Sequence, residues 1–392
     1  MKTIKNTLFI AVLFSIALQL YLSLHYYQLH SAQESSGSIC NINKVFNCDA
    51  VSASSFSNIA GIPISNIGLA LHLVILALLI LNKISPLNSQ KRLQSALNLA
   101  TFSLLGSIIM AGISVLFLNV YCLFCIGLYL LSIIIWFTLR KLLPRSTWNI
   151  KSLFNKNLLL KPVIAIAVLS FFSHVLLSAP KNKDFKRQMR FIVDEWESNP
   201  AIHLNVAPML HLGASKANAK IIITEFADYQ CPHCKHADPK IKAFVLANSN
   251  NTRLEFYPFP LDSQCNPALK FSRGGLTCTL TKAVFCANKQ DKGWAVHHFV
   301  FDNQSQIKDN YNASQFSLDI KKAVPGLKIN QWKSCLDSQK TQDSILAFAQ
   351  AGQTAQVQGT PSFLVNTRKL ENAQFLPVLD AVKSKILKKS RH

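Results

Sequence analysis

Tyr121-Cys122-Leu123-Phe124-Cys125 opens an apolar run that continues from Ile126 to Leu139. Two thiols three positions apart at a helix start can close a disulfide or hold a metal, and helix N-terminal N–H groups favour a thiolate there. The helix they open is apolar enough to lie in a bilayer, which places the pair where water meets lipid. A redox pair in that position implies electrons passing between an aqueous donor and a lipid-soluble acceptor.

Outward from this pair, the apolar character fills residues 8 to 179 and the remainder reads as globular. The chain has 392 residues, 49% of them hydrophobic, and a positive mean hydropathy, too apolar for an ordinary soluble protein. Apolar spans fall at about 8–27, 62–82, 96–118, 122–139 and 162–179, each near the ~20 residues a bilayer requires. The first follows Lys2 and Lys5. A cleavable signal peptide could use Ser31-Ala32-Gln33 as a poor cleavage site, but the apolar core is longer than a signal core and further spans follow, so a retained helix is expected. Lys2, Lys5, Lys83, Lys91, Arg92, Arg140, Lys141, Arg145, Lys151 and Lys156 flank one side of the spans, and Lys44 alone lies in the loop on the other. The positive-inside rule then puts the N-terminus in the cytoplasm. Cys40, Cys48, Cys122 and Cys125 lie at the outer surface, and the fifth span delivers residues 180–392 to the same side.

All ten cysteines therefore face one compartment. Their even number and spacing read as disulfides in an oxidising environment. A zinc site would need four ligands converging on one ion, and the two CxxC pairs lie more than a hundred residues apart; no metal is expected. The net charge of +22 divides into +10 (12 − 2) for residues 1–180 and +12 (29 − 17) for residues 181–392. No dense Lys/Arg run or base-stacking motif accompanies it, so a nucleic-acid partner is not indicated.

In the second half, Phe185, Met189, Ile192 and Trp196 recur at helical spacing, Asn199-Pro200 ends that helix, and Gly213 to Lys220 reads as a turn. Ile221-Ile222-Ile223-Thr224-Glu225-Phe226 is a buried strand. It leads into Cys231-Pro232-His233-Cys234 and a helix from about Lys235 to Leu246; strand, CxxC, helix is the thioredoxin pattern. A second strand covers Arg253 to Phe259, a long helical stretch about 266–356, a turn and strand Gly359 to Val365, and a last helix 374–389. Cys231 sits at a helix N-terminus beside His233, and both lower its pKa; a stable thiolate there makes the disulfide form a good oxidant. Glu225 reads as a buried acid that moves protons for Cys234. Pro361 is expected to be a cis-proline against the CxxC.

Residues 208–390 resemble a DsbA-like thiol oxidase, in Glu225-Phe226, Cys-Pro-His-Cys, the helical insertion and Gly359-Thr360-Pro361. Cys234 and Pro361 are 127 residues apart (361 − 234), as an inserted helical domain requires. The membrane half resembles the vitamin K epoxide reductase family. Cys40 and Cys48 match its outer loop pair and Cys122-Leu123-Phe124-Cys125 the redox pair opening its fourth helix. Ser54 matches the loop serine, and Tyr129 the tyrosine one turn beyond the second active cysteine; both line the quinone pocket in that family. The asparagine many members carry in the second helix is not placed; His72, mid-membrane, is the alternative polar contact, but it reads rather as an internally hydrogen-bonded histidine. The DsbA resemblance also implies Cys286–Cys335 as a structural bridge, with Cys265 and Cys278 as the other pair.

The expected architecture is an α-helical membrane bundle followed by an α/β thioredoxin fold. Residues 1–145 form four core helices, 146–212 a fifth transmembrane helix and linker, and 213–392 the thioredoxin-fold domain with its insertion. The expected function is a disulfide-forming enzyme of the bacterial inner membrane. Its soluble domain oxidises reduced secreted or periplasmic proteins, and the membrane domain passes the electrons through Cys40–Cys48 and Cys122–Cys125 to a quinone, ubiquinone or menaquinone. Cys48 is expected to meet Cys122, and Cys40 the soluble domain. The Ser/Asn-rich segment 52–58 and the Gly61-Ile62-Pro63 break are expected to form a short half-helix capping the pocket. Rival readings are an isomerase or reductase fed by the membrane half, and a tethered thiol chaperone or metal carrier. Pro-His between the cysteines weighs against the first, and a total of four Met against a copper carrier.

Overall fold

The structure is a computed structural model describing residues 2–31, 37–85, 87–144, 153, 155–178 and 183–389. Ala32-Gln33 of the weighed cleavage site, and Arg145 and Lys151 of the charge count, lie outside these residues. The chain forms two compact units, divided between Asn182 and Lys183.

Among the described residues of the first unit, five helices are long and apolar enough to cross a membrane. They are α1 (Lys2–Leu29), α3 (Ile64–Ile84), α4 (Ser89–Ile113), α5 (Leu123–Leu142) and α6 (Lys156–Leu177), with the short α2 (Cys48–Ala53) between the first two. α1 packs on α3 and α5, α4 on α3 and α5, and α6 on α3 and α4. Val12, Ile75, Leu97, Ile135 and Leu139 fill the centre. Phe14, Ile109, Phe137 and Phe172 instead point outward, more than half exposed. Water would penalise such a surface, whereas hydrocarbon accepts it, provided the backbone bonds internally as a helix does.

Short elements shape the outer end. α2 is capped by Asn47, whose side chain accepts the Ala50 N–H. The following segment, expected as a half-helix over 52–58, is instead a tight hairpin of β1 (Asn58–Ile59) and β2 (Ile62–Pro63). Ala60 and Gly61 turn it with φ of 52° and 86°, a left-handed pair of residues that a helix cannot contain; the half-helix lies earlier, starting at Cys48. α4 ends in a π-helical turn, Ser114–Leu118, and Asn119 reverses the chain with φ 54°.

The second unit is built on a five-stranded sheet of order β3-β5-β4-β6-β7. The strands are β3 (Leu210–Gly213), β4 (Ile221–Ala227), β5 (Thr252–Pro258), β6 (Ser362–Val365) and β7 (Arg368–Lys369). β4 and β5 are parallel, with Ile223 opposite Leu254, while β3, β6 and β7 run antiparallel to their neighbours. The unit starts at α7 (Lys183–Ser198), ahead of the boundary at 213. The reason is packing: Ile192, Val193 and Trp196 are buried, and the Trp196 indole donates to the Val365 carbonyl at 3.0 Å. β3 was not foreseen; it is a short edge strand with one inward-facing leucine, Leu210.

The CxxC helix is α8 (Pro232–Ala247). Six helices come between β5 and β6: α9 (Leu276–Asn288), α10 (Gly293–Asp302), α11 (Gln304–Asp309), α12 (Ala313–Ala323), α13 (Ile329–Leu336) and α14 (Gln339–Thr354). The terminal α15 (Leu376–Lys389) packs on α7 and α8. The insertion closes around Trp332, fully buried, whose indole donates to the Ala283 carbonyl at 2.8 Å. Cys286–Cys335 and Cys265–Cys278 are disulfides, with Cα separations of 5.7 and 5.8 Å. The first ties α9 to α13. The second anchors the loop between β5 and α9.

Candidate functional site: two dithiol centres

In the soluble unit, β4 delivers the chain to a loop that Asp228 organises. Its carboxylate accepts the N–H groups of Gln230 and Leu261, each at 2.6 Å, and the Thr277 hydroxyl at 2.8 Å. Cys231 follows as the N-cap of α8, with Pro232 at the first helical position, where its missing N–H costs nothing. Cys231 and Cys234 stand as two thiols. The Cys231 thiol is 3.2 Å from the Thr360 carbonyl, and the Thr360–Pro361 peptide is cis. The loop carrying Pro361 is thus brought against the Cys231 sulfur.

The two thiols are driven apart in acidity. The hydrogen bond from Cys234 lowers Cys231 to about 6, against the effect of burial and with help from the backbone N–H groups of Cys234 and His233. Burial, and then the neighbouring Cys231, push Cys234 far up. His233 itself is exposed, and the group it brings to bear on Cys231 is its backbone N–H. At neutral pH the first sulfur is a thiolate and the second a thiol. That is the division of labour a nucleophile and a resolving partner need.

Glu225 lies on β4 with 1% of its surface exposed, and neither carboxylate oxygen has a hydrogen-bond partner. Burial raises it to about 8; the negative charge of Asp238 adds to the shift and Lys242 opposes it. At neutral pH it is a protonated acid in the core. Burial also acts to raise Asp238, but Lys242 and His297 outweigh it and hold this carboxyl well below its usual range. Asp238 ion-pairs with Lys242 and lies 2.8 Å from His297 Nε2, and His297 Nδ1 meets the Tyr229 hydroxyl at 3.0 Å.

Sequence reasoning missed Gln304. Its buried side-chain amide donates to the carbonyls of Tyr229 and Cys231, both at 3.0 Å. This fixes the active loop from a helix of the insertion, 73 residues further along the chain. No local pattern marks such a residue.

In the membrane unit, Cys40–Cys48 and Cys122–Cys125 are each disulfide-bonded. The sulfurs of Cys40, Cys48 and Cys122 all lie within 4.8 Å of one another. Both loop sulfurs are therefore near Cys122, and sulfur proximity alone does not single out Cys48. Backbone pairing holds the loop there: Asn47 N–H donates to the Tyr121 carbonyl at 2.9 Å, and Tyr121 N–H to the Val45 carbonyl at 2.7 Å. Cys122 is the N-cap of α5, its sulfur accepting the Cys125 N–H at 3.1 Å.

Of the two residues matched to a quinone pocket, Tyr129 lies one turn past Cys125 and is hydrogen-bonded to Ser114 in the π-helical turn. Ser54 is buried at the end of α2, its hydroxyl donating to the Val51 carbonyl at 2.8 Å. His72 is satisfied internally by the Gly68 carbonyl at 3.0 Å. Among the buried polar residues not placed from sequence is Asn66, at the start of α3. Its amide nitrogen contacts the Tyr27 hydroxyl at 2.9 Å and the Ser173 hydroxyl at 3.2 Å, and its oxygen has no partner.

Both parts of the chain are similar to known proteins. Residues 7–139 match the vitamin K epoxide reductase family model and residues 206–382 a thioredoxin model. A probable disulfide bond formation protein D of Bacillus anthracis is 24% identical over 239 residues, 60% of this chain and 98% of that protein. The disulfide bond formation protein D of Bacillus subtilis is 22% identical over 161 residues, 40% of this chain and 68% of that protein. The crystal structure of oxidised BdbD from Bacillus subtilis aligns with 21% identity and a TM-score of 0.40, covering 48% of this chain and 97% of that one.

Two outcomes follow from the acidities. Alkylation of the reduced soluble pair by iodoacetamide should be confined to Cys231 and rise to half its maximum near pH 6, where the thiolate forms; a midpoint near 9 would contradict the geometry. Glu225, raised from 4.5 to about 8, keeps in the folded state a proton that the unfolded chain has lost. Its stabilising contribution is complete below pH 4.5 and is lost as pH rises through 8, by roughly 1.4 kcal/mol per unit between them. Glu225→Gln should flatten that slope in urea unfolding followed from pH 5 to pH 8.

Proposed function

We propose, for a chain that joins a vitamin K epoxide reductase family domain to a DsbA-like thioredoxin domain, that it makes disulfides in client proteins and disposes of the electrons in the membrane. The observation that carries this reading is the convergence of the Cys40, Cys48 and Cys122 sulfurs within 4.8 Å, in a chain that also carries a soluble pair whose first thiol is a thiolate at neutral pH.

In the first step a client thiolate attacks Cys231 of the oxidised pair, and Cys234 leaves. Leaving as a bare thiolate in a sealed core would be costly, so a proton must reach it, and Glu225 is the protonated acid in that core. A second client thiolate then attacks the mixed disulfide, Cys231 departs as a stabilised thiolate, and the client holds a disulfide. The Cys231 thiolate next attacks the Cys40–Cys48 disulfide and Cys234 resolves the mixed species, leaving the loop pair reduced. Cys48 then attacks Cys122, Cys125 leaves, and Cys40 closes on Cys48. Two electrons and two protons have moved one pair inward at each exchange.

A bound quinone would take up those two electrons and two protons as Cys122 and Cys125 close again. Two side chains of the membrane unit carry groups suited to such a ligand. Tyr129 offers a phenol, and Asn66 an amide oxygen buried without a partner, which suits a quinol hydroxyl. The surrounding helices supply an apolar wall. The excess of Lys and Arg on the side of the chain's N-terminus supports an N-terminus in the cytoplasm and the soluble domain outside, in the periplasm of a bacterium. Reduced secreted or periplasmic proteins would be the clients.

Replacing Cys234 by Ala should capture clients as thiol-sensitive adducts on Cys231, seen on non-reducing gels; their absence would count against direct oxidation of proteins. Replacing Cys125 by Ala should leave the soluble domain folded but strand Cys231–Cys234 as dithiol in growing cells, read by mass-tag alkylation. A soluble pair that stayed oxidised in that variant would refute the order of the relay.

A further inference from the structure

The loop pair is held not only by Tyr121 but also by a buried acid. Asp49 follows Cys48 in the first turn of α2, and none of its surface is exposed. Its Oδ1 lies 2.5 Å from Nε2 of His25, itself buried in α1. Both carboxylate oxygens also accept the Ser38 N–H, at 3.2 Å. A carboxylate removed from water is expensive unless its lone pairs are occupied. Here one acid draws together the segments before Cys40 and after Cys48 and fastens them to a transmembrane helix.

The same face of α1 reaches the other cysteine pair. Tyr21, one turn before His25 and stacked on it at 5.9 Å between ring centroids, meets the Ser38 hydroxyl with its own at 3.1 Å. That Ser38 hydroxyl accepts the Cys40 N–H at 3.3 Å. The Tyr21 ring packs edge-on against Phe124, inside the Cys122–Cys125 motif, at 5.2 Å. Tyr21 and His25 thus form a common support against which both disulfides are set.

We propose that His25, acting through Asp49, is a positioning residue for exchange between the loop pair and Cys122–Cys125, an inference resting on the relay proposed above. Exchange requires the attacking sulfur in line with the disulfide it attacks, and a 4.8 Å grouping of three sulfurs is useful only if it persists. Without His25, Asp49 would be a buried acid lacking its strongest partner, and the loop would lift toward water to solvate it. The thiols would remain intact while their alignment was lost.

The test uses the full chain in nanodiscs without added quinone, fed with a reduced dithiol peptide, quenched in acid, alkylated and read pair by pair by mass spectrometry. His25→Ala should let electrons reach Cys40–Cys48 as in the unaltered chain, but slow their passage to Cys122–Cys125 on the order of 100-fold, as small misplacements of reacting groups do. The loop pair would then accumulate reduced beside an oxidised Cys122–Cys125. His25→Gln, whose amide can still donate to Asp49, should recover most of the rate. Passage at the unaltered rate in His25→Ala overturns the inference. So does equal slowing in His25→Gln, which would assign His25 to space filling alone. An unaltered chain that reduces its loop pair yet never reduces Cys122–Cys125 would overturn the relay itself, and this inference with it.

Discussion

The membrane unit depends on the loop between α1 and α3 being pinned at the mouth of the bundle. Two backbone hydrogen bonds to Tyr121 and one buried carboxylate do this. A loop at a bilayer surface has every reason to swing into water, where its backbone groups are solvated without cost. Here those groups are satisfied by protein instead: Asn43 accepts the N–H groups of Val45 and Phe46, Asn47 caps α2, and Asn41 accepts the Asp49 N–H. The result is a short segment that can stay folded beside the membrane, and it keeps its two sulfurs where the CxxC of α5 begins.

The soluble unit solves a related problem in a different way. Its dithiol is mounted on a strand–helix junction, where geometry is set by the sheet, and the insertion locks it from above through Gln304. Placing the first cysteine at a helix N-terminus, among N–H donors, stabilises its thiolate, while sealing the second in the core prevents the same thing there. The bond from Cys234, the helix start and the difference in burial therefore set the two acidities apart.

Much of this was legible in the sequence because it is local. A CxxC before a long apolar run, a β-branched strand before Cys-Pro-His-Cys, and Lys and Arg gathered on one side of the spans are patterns in neighbouring residues. The features that were not legible are contacts between distant residues or very short elements. α2 has six residues, too few for periodicity to register, and its stability comes from the Asn47 cap and from packing. The hairpin after it depends on two left-handed residues, of which only Gly61 announces itself. Trp196 carries a helix of the presumed linker into the soluble unit through a bond to a carbonyl 169 residues away. His25 and Asp49 each look ordinary alone; a histidine near the end of a span and an aspartate after a cysteine gain meaning only when folding brings them together.

The buried acids in the two units serve opposite ends. Asp238 is held ionised by Lys242 and His297, and its charge helps to keep Glu225 protonated nearby. A single proton is thus held in the core of the same unit that seals the Cys234 thiol from water. Asp49 has its lone pairs occupied by His25 and Ser38, so its energy depends on where the loop sits. In the first case a carboxyl group is kept uncharged. In the second it is surrounded by donors, so that moving the loop would strip it of partners. The difference lies in the neighbours, since both side chains are almost wholly excluded from water; for a buried acid, the number of donors around it decides whether it works as a proton store or as a fastening.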